Sequence, residues 1–383
     1  MSDAVTPFVV DIDDAVLEDL RLRLARTRFP DQIVGTGWEY GMPIDYLRQL
    51  VEYWQEGYDW PIQQDRLNEF DHYLSDIDGQ SIHFIHARSP HAEALPLLIT
   101  HGWPGSIVEF LDVIPRLTTP EAFGGQASDA FHVVAPSLPG YGFSEPPRTT
   151  GWGEQRIALA FTTLMARLGY EHYVAQGGDW GAQITTRIGG LDPYHCIGIH
   201  LNMALGSSPK DAAPLSEADL ADLASMKQFV AEESGYANEQ GTKPQTLGAA
   251  LNDSPAGLLA WIVEKFRAWS DCDGEVERCF SRDQLITNVM LYWVTQTPAS
   301  SARLYWESRH AGPSARPPFV SVPTGVARYP KEVLRWPRSW IENQYNVVHW
   351  AEMDRGGHFP AMEQPALFVD DLRTCFRTLR HTT

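Results

Sequence analysis

The sequence predicts an α/β protein: a mostly parallel, doubly wound sheet interrupted by a block of helices. Three features of the chain point to it. From Pro96 onward, short apolar runs such as "PLLIT", "FHVVAP", "YVAQGG" and "CIGIHLN" alternate with helical stretches, the texture of strands covered on both faces. From about residue 205 to 316 only helical periodicity is seen. Strand-like runs then resume in "FVSVPTG" and "NVVHWAEM".

At the start, "DDAVLEDLRLRLART" sets Val16, Leu17, Leu20 and Leu24 on one helical face, and "IDYLRQLVEYWQ" repeats the pattern from Ile44. In "FDHYLSDIDGQSIHFIHA", Asp78-Gly79 separates two strand-like runs, a hairpin signal. These elements define a leading region over 1–95, followed by the first part of the sheet domain over 96–204. A helical lid is expected over 205–316, where "SPAGLLAWIVEKFRAW" puts Leu258, Leu259, Ile262 and Phe266 on one face. Ser281-x-x-Gln284 opens the next helix as a capping box. Residues 317–383 complete the sheet and end in a helix with the stripe Phe368, Leu372, Cys375 and Leu379.

Composition narrows the function. With 43% hydrophobic residues, 13 Trp, 14 Tyr and 16 Phe, the chain can fill a large core, which excludes a disordered class. A formal charge of -19 argues against nucleic acid and anionic membrane as partners. The four cysteines contain no C-x-x-C and read as reduced residues of a cytoplasmic protein. The opening "MSDAVTPFVVDIDD" has neither a basic nor an apolar region of a secretion signal, and no run approaches 18 apolar residues. None of the 13 histidines stands in H-E-x-x-H spacing, so neither a metal nor another cofactor is expected. A homodimer is the expected assembly.

The chemistry-bearing residues fall where strands end, the ligand-binding edge of open α/β sheets. "HGWPG" (His101–Gly105) follows the third expected strand, and "GGDWGA" follows the fifth. An acid is due after the seventh, and His358 in "RGGHF" follows the eighth. Gly177-x-Asp179-x-Gly181 has the spacing of a nucleophile elbow with Asp in place of Ser, and nucleophile, acid, histidine is the chain order of α/β-hydrolase triads. A serine attacking a saturated carbon would leave an ether, which water does not readily cleave. A carboxylate leaves an ester, which histidine-activated water can hydrolyse. Asp179 as nucleophile therefore implies an sp3 electrophile bearing a leaving group. The backbone N–H groups of Trp103 and Trp180 are placed to form the oxyanion hole. For the acid, Glu332, Glu342 and Asp354 are candidates; Asp354 lies too close in sequence to His358, and Glu332 directly follows the seventh strand. His101, heading the loop, reads as a structural residue.

Two leaving groups fit, halide and the oxygen of an epoxide. Halide needs only N–H donors. An epoxide oxygen leaves as a strong base and needs a proton donor, for which tyrosine, with a pKa of about 10, is suited near neutrality. The lid offers Tyr236, Tyr292 and Tyr305. Tyr292 sits among Val289, Met290 and Trp293 and reads as packing; Tyr236 and Tyr305 lie in polar surroundings near expected element ends. Trp103, Trp180, Trp261, Trp269 and Trp293 are candidates to line an aromatic-accepting pocket.

At these residues the chain resembles the microsomal-type epoxide hydrolases, a group that includes juvenile hormone epoxide hydrolases and soluble fungal and bacterial members. The resemblance covers nearly the whole chain. The opening "TPFVVDIDDAVLEDLRLRLARTRFPD" is similar to the family's N-terminal meander, and "HGWPGS", "PSLPGYGFSEPP", "GGDWGA", "TKPQTLGAALNDSPAGLLAWIVEKF", "TNVMLYW", "VPTG" and "RGGHF" match its successive landmarks. The resemblance implies an α/β-hydrolase fold and cofactor-independent conversion of a small-molecule epoxide to a vicinal diol; with the tryptophans above, an aromatic or vinyl epoxide is the expected substrate. It implies Asp179 as nucleophile, His358 as base, Glu332 as its orienting acid, and Tyr236 and Tyr305 as the ring-opening pair. Two departures stand out: the membrane anchor of the animal members is missing, and the lid is shorter than in some relatives between Ala268 and Phe280. A haloalkane dehalogenase shares the Asp179-Trp180 pair; the meander and the paired lid tyrosines weigh against it. A binding protein on the same fold would not need an intact triad, and a serine esterase would need a G-x-S-x-G that the chain lacks.

Overall fold

The structure, a computed structural model, describes residues 4–211, 213–312 and 319–381. Among the described residues, nine strands form one sheet: β1 (Val5–Phe8), β2 (His72–Ile77), β3 (Gln80–Ala87), β4 (Leu95–Thr100), β5 (Phe131–Pro136), β6 (Tyr173–Gly177), β7 (Cys196–Leu201), β8 (Val320–Arg328) and β9 (Tyr345–Glu352). Their order is β1-β2-β3-β5-β4-β6-β7-β8-β9. Every pairing from β5 to β9 is parallel, while β1, β2, β3 and β5 join antiparallel. This is the mostly parallel α/β sheet that the alternation predicted, and it agrees with the α/β-hydrolase fold that the resemblance implied.

β1 is an element the sequence reading did not find. Its four residues include Pro7, which has no N–H for a ladder and is tolerated because β1 is an edge strand. Asp78 and Gly79 both have positive φ, 56° and 73°, so the hairpin between β2 and β3 turns as that dipeptide favours.

Three helices occupy the leading segment, α1 (Asp14–Ala25), α2 (Ile44–Glu56) and α3 (Trp60–Leu67). α4 (Ile114–Thr118), α5 (Glu154–Arg167) and α6 (Asp179–Leu191) connect the strands from β4 to β7. Six helices fill the stretch between β7 and β8: α7 (Glu217–Glu232), α8 (Gly235–Thr242), α9 (Pro244–Leu251), α10 (Pro255–Trp269), α11 (Arg282–Val294) and α12 (Pro298–His310). α13 (Arg338–Glu342), α14 (Pro360–Glu363) and α15 (Pro365–Phe376) complete the set. The expected end of the helical block at 316 lies outside the described residues. The capping box on α11 is formed reciprocally by Ser281 and Gln284.

The leading helices clasp the helical block from outside. Leu17, Leu20 and Leu24 of α1 are buried, and Arg23 reaches Asp253 at 2.7 Å. Tyr53 on α2 donates to Asp283 at 2.8 Å, and Tyr58 meets Thr287 at 3.1 Å. Strand interiors β4, β5 and β6 are almost wholly buried, so the loops at their C-terminal ends rest on a close-packed base.

Candidate active site

β6 ends at Gly177, and α6 begins two residues later at Asp179. The sharp reversal holds Asp179 at φ 50°, a left-handed conformation that costs a non-glycine residue on the order of 1–3 kcal/mol and lifts its side chain off the sheet. A Cβ at Gly181 would stand 2.0 Å from the Thr100 carbonyl oxygen. Glycine there lets the first turn of α6 sit directly against the end of β4, where "HGWPG" begins.

That approach aligns the two loops. The Trp103 amide donates to Asp179 Oδ1 at 2.8 Å. The Trp180 amide, expected to share this duty, makes no hydrogen bond to the carboxylate; it lies in the first turn of α6 itself. The loop is gripped from the helical block. Asn288 Nδ2 donates to the Pro104 carbonyl at 2.8 Å, Ser106 donates to Asn288 Oδ1 at 2.8 Å, and Tyr292 donates to the Gly105 carbonyl at 2.6 Å. Asn288 and Tyr292 are both buried on α11, and buried satisfied networks of this kind fix one geometry. Tyr292 therefore packs, as its apolar neighbours suggested, while its hydroxyl anchors the loop. The sequence reading did not single out Asn288; a polar residue within the apolar face of "ITNVMLYW" was the signal.

His101 also holds the loop. Leu138 N donates to its Nε2 at 3.2 Å, and its Nδ1 lies 2.9 Å from the Gly102 carbonyl. Burial pushes its pKa down to about 4, so it is a neutral strut.

His358 follows β9 and is pinned by its amide, which donates to the Trp269 carbonyl at 2.9 Å. Its neighbour Phe359 stacks on Phe266 of α10, with centroids 4.1 Å apart. His358 Nδ1 lies 2.7 Å from Glu332 Oε1, which also accepts from the Val333 amide at 2.8 Å. On the other side, Nε2 stands 3.3 Å from Asp179 Oδ2 with no aligned hydrogen bond. Burial works to lower the imidazole pKa, but the Glu332 and Asp179 carboxylates outweigh it and hold the value well above the usual one. The other acids are remote: Asp354 pairs with Arg355 and Glu342 with Arg338, all largely exposed.

Tyr236, in the first turn of α8, stacks parallel on the Trp103 ring at 5.1 Å. Tyr305 meets the same ring edge-on at 5.8 Å, and the two tyrosine rings are 5.9 Å apart. Tyr305 departs from expectation in lying mid-helix in α12 and buried. Burial, and then the Asp179 charge, push the Tyr236 phenol well above its usual pKa; burial, Tyr236 and Asp179 do so for Tyr305. Both remain protonated donors.

The tryptophans divide. The Trp180 ring stands edge-on to Tyr305 at 4.8 Å, beside Trp103. Trp269 packs against His358 at 4.9 Å and Tyr236 at 5.1 Å. Trp261 and Trp293 do not join them. Trp261 donates to Gln240 at 3.3 Å, and Trp293 lies under Arg23 of α1. α10 and α11 turn those two rings toward other contacts, which periodicity alone could not resolve.

A cavity of about 20 Å³, lined by Glu109, Gln176, Asp179, Asn202, His358 and Phe359 among others, adjoins the Asp179–His358 gap. Among the described residues, no cluster of His, Cys, Asp and Glu could hold a metal ion, and no helix is long and apolar enough to cross a membrane.

Two family models match the chain: the epoxide hydrolase N terminus over residues 5–110 and the alpha/beta hydrolase fold over 96–318. Epoxide hydrolase 1 of Sus scrofa is 40% identical over 400 residues, covering 97% of this chain and 88% of its own. The crystal structure of juvenile hormone epoxide hydrolase from the silkworm Bombyx mori superposes with a TM-score of 0.92 at 35% identity, over 99% of this chain and 95% of its own. The epoxide hydrolase of Aspergillus niger follows at 0.88 and 31%, over 98% and 96%. With family models, sequence relatives and solved structures agreeing across its length, the chain belongs to the epoxide hydrolase family of the α/β-hydrolase fold.

Proposed function

We propose that the protein hydrolyses small-molecule epoxides to vicinal diols through an ester on Asp179. The observation that carries this reading is a carboxylate at the elbow between an aligned amide on one oxygen and a buried histidine on the other. Oδ1, held by the Trp103 amide, stays as the carbonyl oxygen. Oδ2 attacks an epoxide carbon; the C–O bond breaks and the leaving oxygen takes a proton from the Tyr236–Tyr305 pair. The tyrosinate regains its proton from solvent.

Ester formation removes the Asp179 charge. One of the two carboxylates that keep His358 protonated is then gone, its pKa falls, Nε2 releases its proton to solvent in balance with the one the tyrosinate takes up, and Nε2 becomes a base. It takes a proton from water as the water oxygen bonds to Asp179 Cγ. The Trp103 amide receives the oxyanion on Oδ1. The ester C–O bond breaks, the diol oxygen takes the proton from His358, and the Asp179 carboxyl, now carrying one oxygen from water, passes its remaining proton to Nε2, restoring the carboxylate and the charged imidazole. Glu332 keeps the imidazole oriented and stabilises its charge.

A single turnover in oxygen-18 water tests this. The first diol formed should be unlabelled, its added oxygen coming from Asp179, and label should appear in the enzyme. Solvent label in that first diol rejects the covalent route. Diol formation from styrene oxide without halide release from short haloalkanes separates the reading from dehalogenation.

A further inference from the structure

Glu109 belongs to the short 3-10 helix Ile107–Phe110, which follows "HGWPG", and the reaction outlined above gives it no task. It is a buried carboxyl in an apolar run, between Val108 and Phe110. Its Oε1 lies against Gly105, where a Cβ would approach to 1.7 Å; only glycine leaves room for the carboxyl at that depth. It lines the same cavity as Asp179 and His358. His358 lines the cavity as well, and its Nε2, 3.3 Å from Asp179 Oδ2, is a buried ring nitrogen with no aligned hydrogen bond. Tyr236 and Tyr305 do not line it, so cavity and tyrosine pair meet Asp179 separately.

The cavity volume of about 20 Å³ suits one water, which requires roughly 10–15 Å³ and two to four polar partners. Such a water has the side chains of both His358 and Glu109 in its wall. We propose that Glu109 is the second anchor of the hydrolytic water, a group that orients it for attack on the Asp179 ester. One O–H points to Nε2, which takes the proton as the O–Cγ bond forms. The other O–H points to a Glu109 oxygen, which keeps its own proton inventory unchanged. With both hydrogens committed, the lone pair is left facing Cγ. Burial, moderated by His358 and reinforced by Asp179, pushes the Glu109 pKa up to about 8. A largely neutral carboxyl keeps a carbonyl oxygen as acceptor and adds little negative charge beside the developing oxyanion.

The local fold offers a different task for the same residue. Ser106 caps the 3-10 helix, with its Oγ accepting from Val108 N at 3.2 Å, and Glu109 three residues on occupies the position of a capping-box acid. A cap stabilises the loop without touching the ester step, so the two tasks separate kinetically.

The inference rests on the ester route proposed above, and its test distinguishes the two. In stopped-flow single turnovers, Glu109→Gln, which keeps the acceptor oxygen, should hydrolyse the ester within a few-fold of wild type. Glu109→Leu, which keeps volume but offers no acceptor, should slow ester hydrolysis on the order of 10–100-fold, as a misplaced reactant does. Alkylation should be unchanged in both, so the ester accumulates only in the leucine variant. Equal slowing of alkylation and hydrolysis, or normal hydrolysis in Glu109→Leu, overturns the proposal and leaves a structural acid. Should Glu109→Leu not fold, Glu109→Gln decides: hydrolysis slowed as deeply as in Glu109→Ala overturns it, and hydrolysis kept while Glu109→Ala loses it upholds it. If wild type forms no ester, the covalent route itself has failed.

Discussion

Asp179 Oδ2 and His358 Nε2 face each other across 3.3 Å, in ion-pair range yet not hydrogen-bonded. The gap holds the proposed nucleophile and base close enough to share a charge and leaves Nε2 without an aligned partner. Most testable consequences of the structure come from this separation.

The first concerns the charge on His358, whose pKa Glu332 and Asp179 together raise. A group with a raised folded pKa contributes stability that is fully present below its unfolded value, about 6.5, and is lost as pH rises through the folded value. Asp179→Asn should therefore lower the His358 pKa in NMR titration and flatten the alkaline decline of Tm. An unchanged titration would show that Glu332 alone sets the proton.

Replacing the base should stop the cycle halfway. In His358→Gln the ester is expected to form and persist, with hydrolysis slowed on the order of 10²–10⁴-fold. Intact-mass spectrometry should find the enzyme heavier by one substrate. No adduct after exposure to excess styrene oxide would count against Asp179 as nucleophile.

Tyr236 and Tyr305 both pack on the Trp103 ring, with their own ring centroids 5.9 Å apart, and the proposed ring opening draws on either hydroxyl. Each Phe substitution should slow alkylation about 10-fold and the pair together at least about 10²-fold, the low end of general-acid contributions. Rapid-quench measurement of ester formation checks this, and wild-type alkylation in the double variant would remove both from the chemistry.

The acid should matter through orientation. Glu332→Ala leaves His358 Nδ1 without its partner and should lower the hydrolysis rate on the order of 10²–10⁴-fold, while Glu332→Asp recovers part of it. Glu342→Ala and Asp354→Ala, at exposed pairs, should leave the rate unchanged.

Remote support can be tested at α11. Asn288→Ala removes two buried hydrogen bonds to the "HGWPG" loop and strands Ser106 and the Pro104 carbonyl, a loss of about 1–3 kcal/mol for each group left unsatisfied. Thermal denaturation should show a lower Tm. Alkylation should slow as well, because the Trp103 amide loses its setting; a lower Tm with normal alkylation would confine Asn288 to stability.

Much of this was legible in the chain. The hairpin turn, the capping box on α11, the elbow spacing and the order of special residues along the strands are local or ordinal properties. Backbone geometry imposes periods of about 2 and 3.6 residues regardless of partners. β1 escaped notice because four residues with a central proline carry little strand signal, and the strand exists only because β2 offers an open edge.

The sequence by itself determined the α/β plan, the carboxylate at the turn after β6 and the presence of a histidine at the end of β9. Tertiary structure brought to that histidine the acid that the sequence had favoured for its place after the seventh expected strand, Glu332, and left Glu342 and Asp354 to solvent. It also decided that Trp269 and Trp180 border the tyrosines while Trp261 and Trp293 turn elsewhere, that one amide holds Asp179 where two were expected, and that Asn288 and Glu109 lie beneath the loop. The reason is physical: turn and helix preferences act over a few residues, whereas these contacts join residues tens to hundreds of positions apart and arise only when close packing selects one arrangement of strand ends and lid.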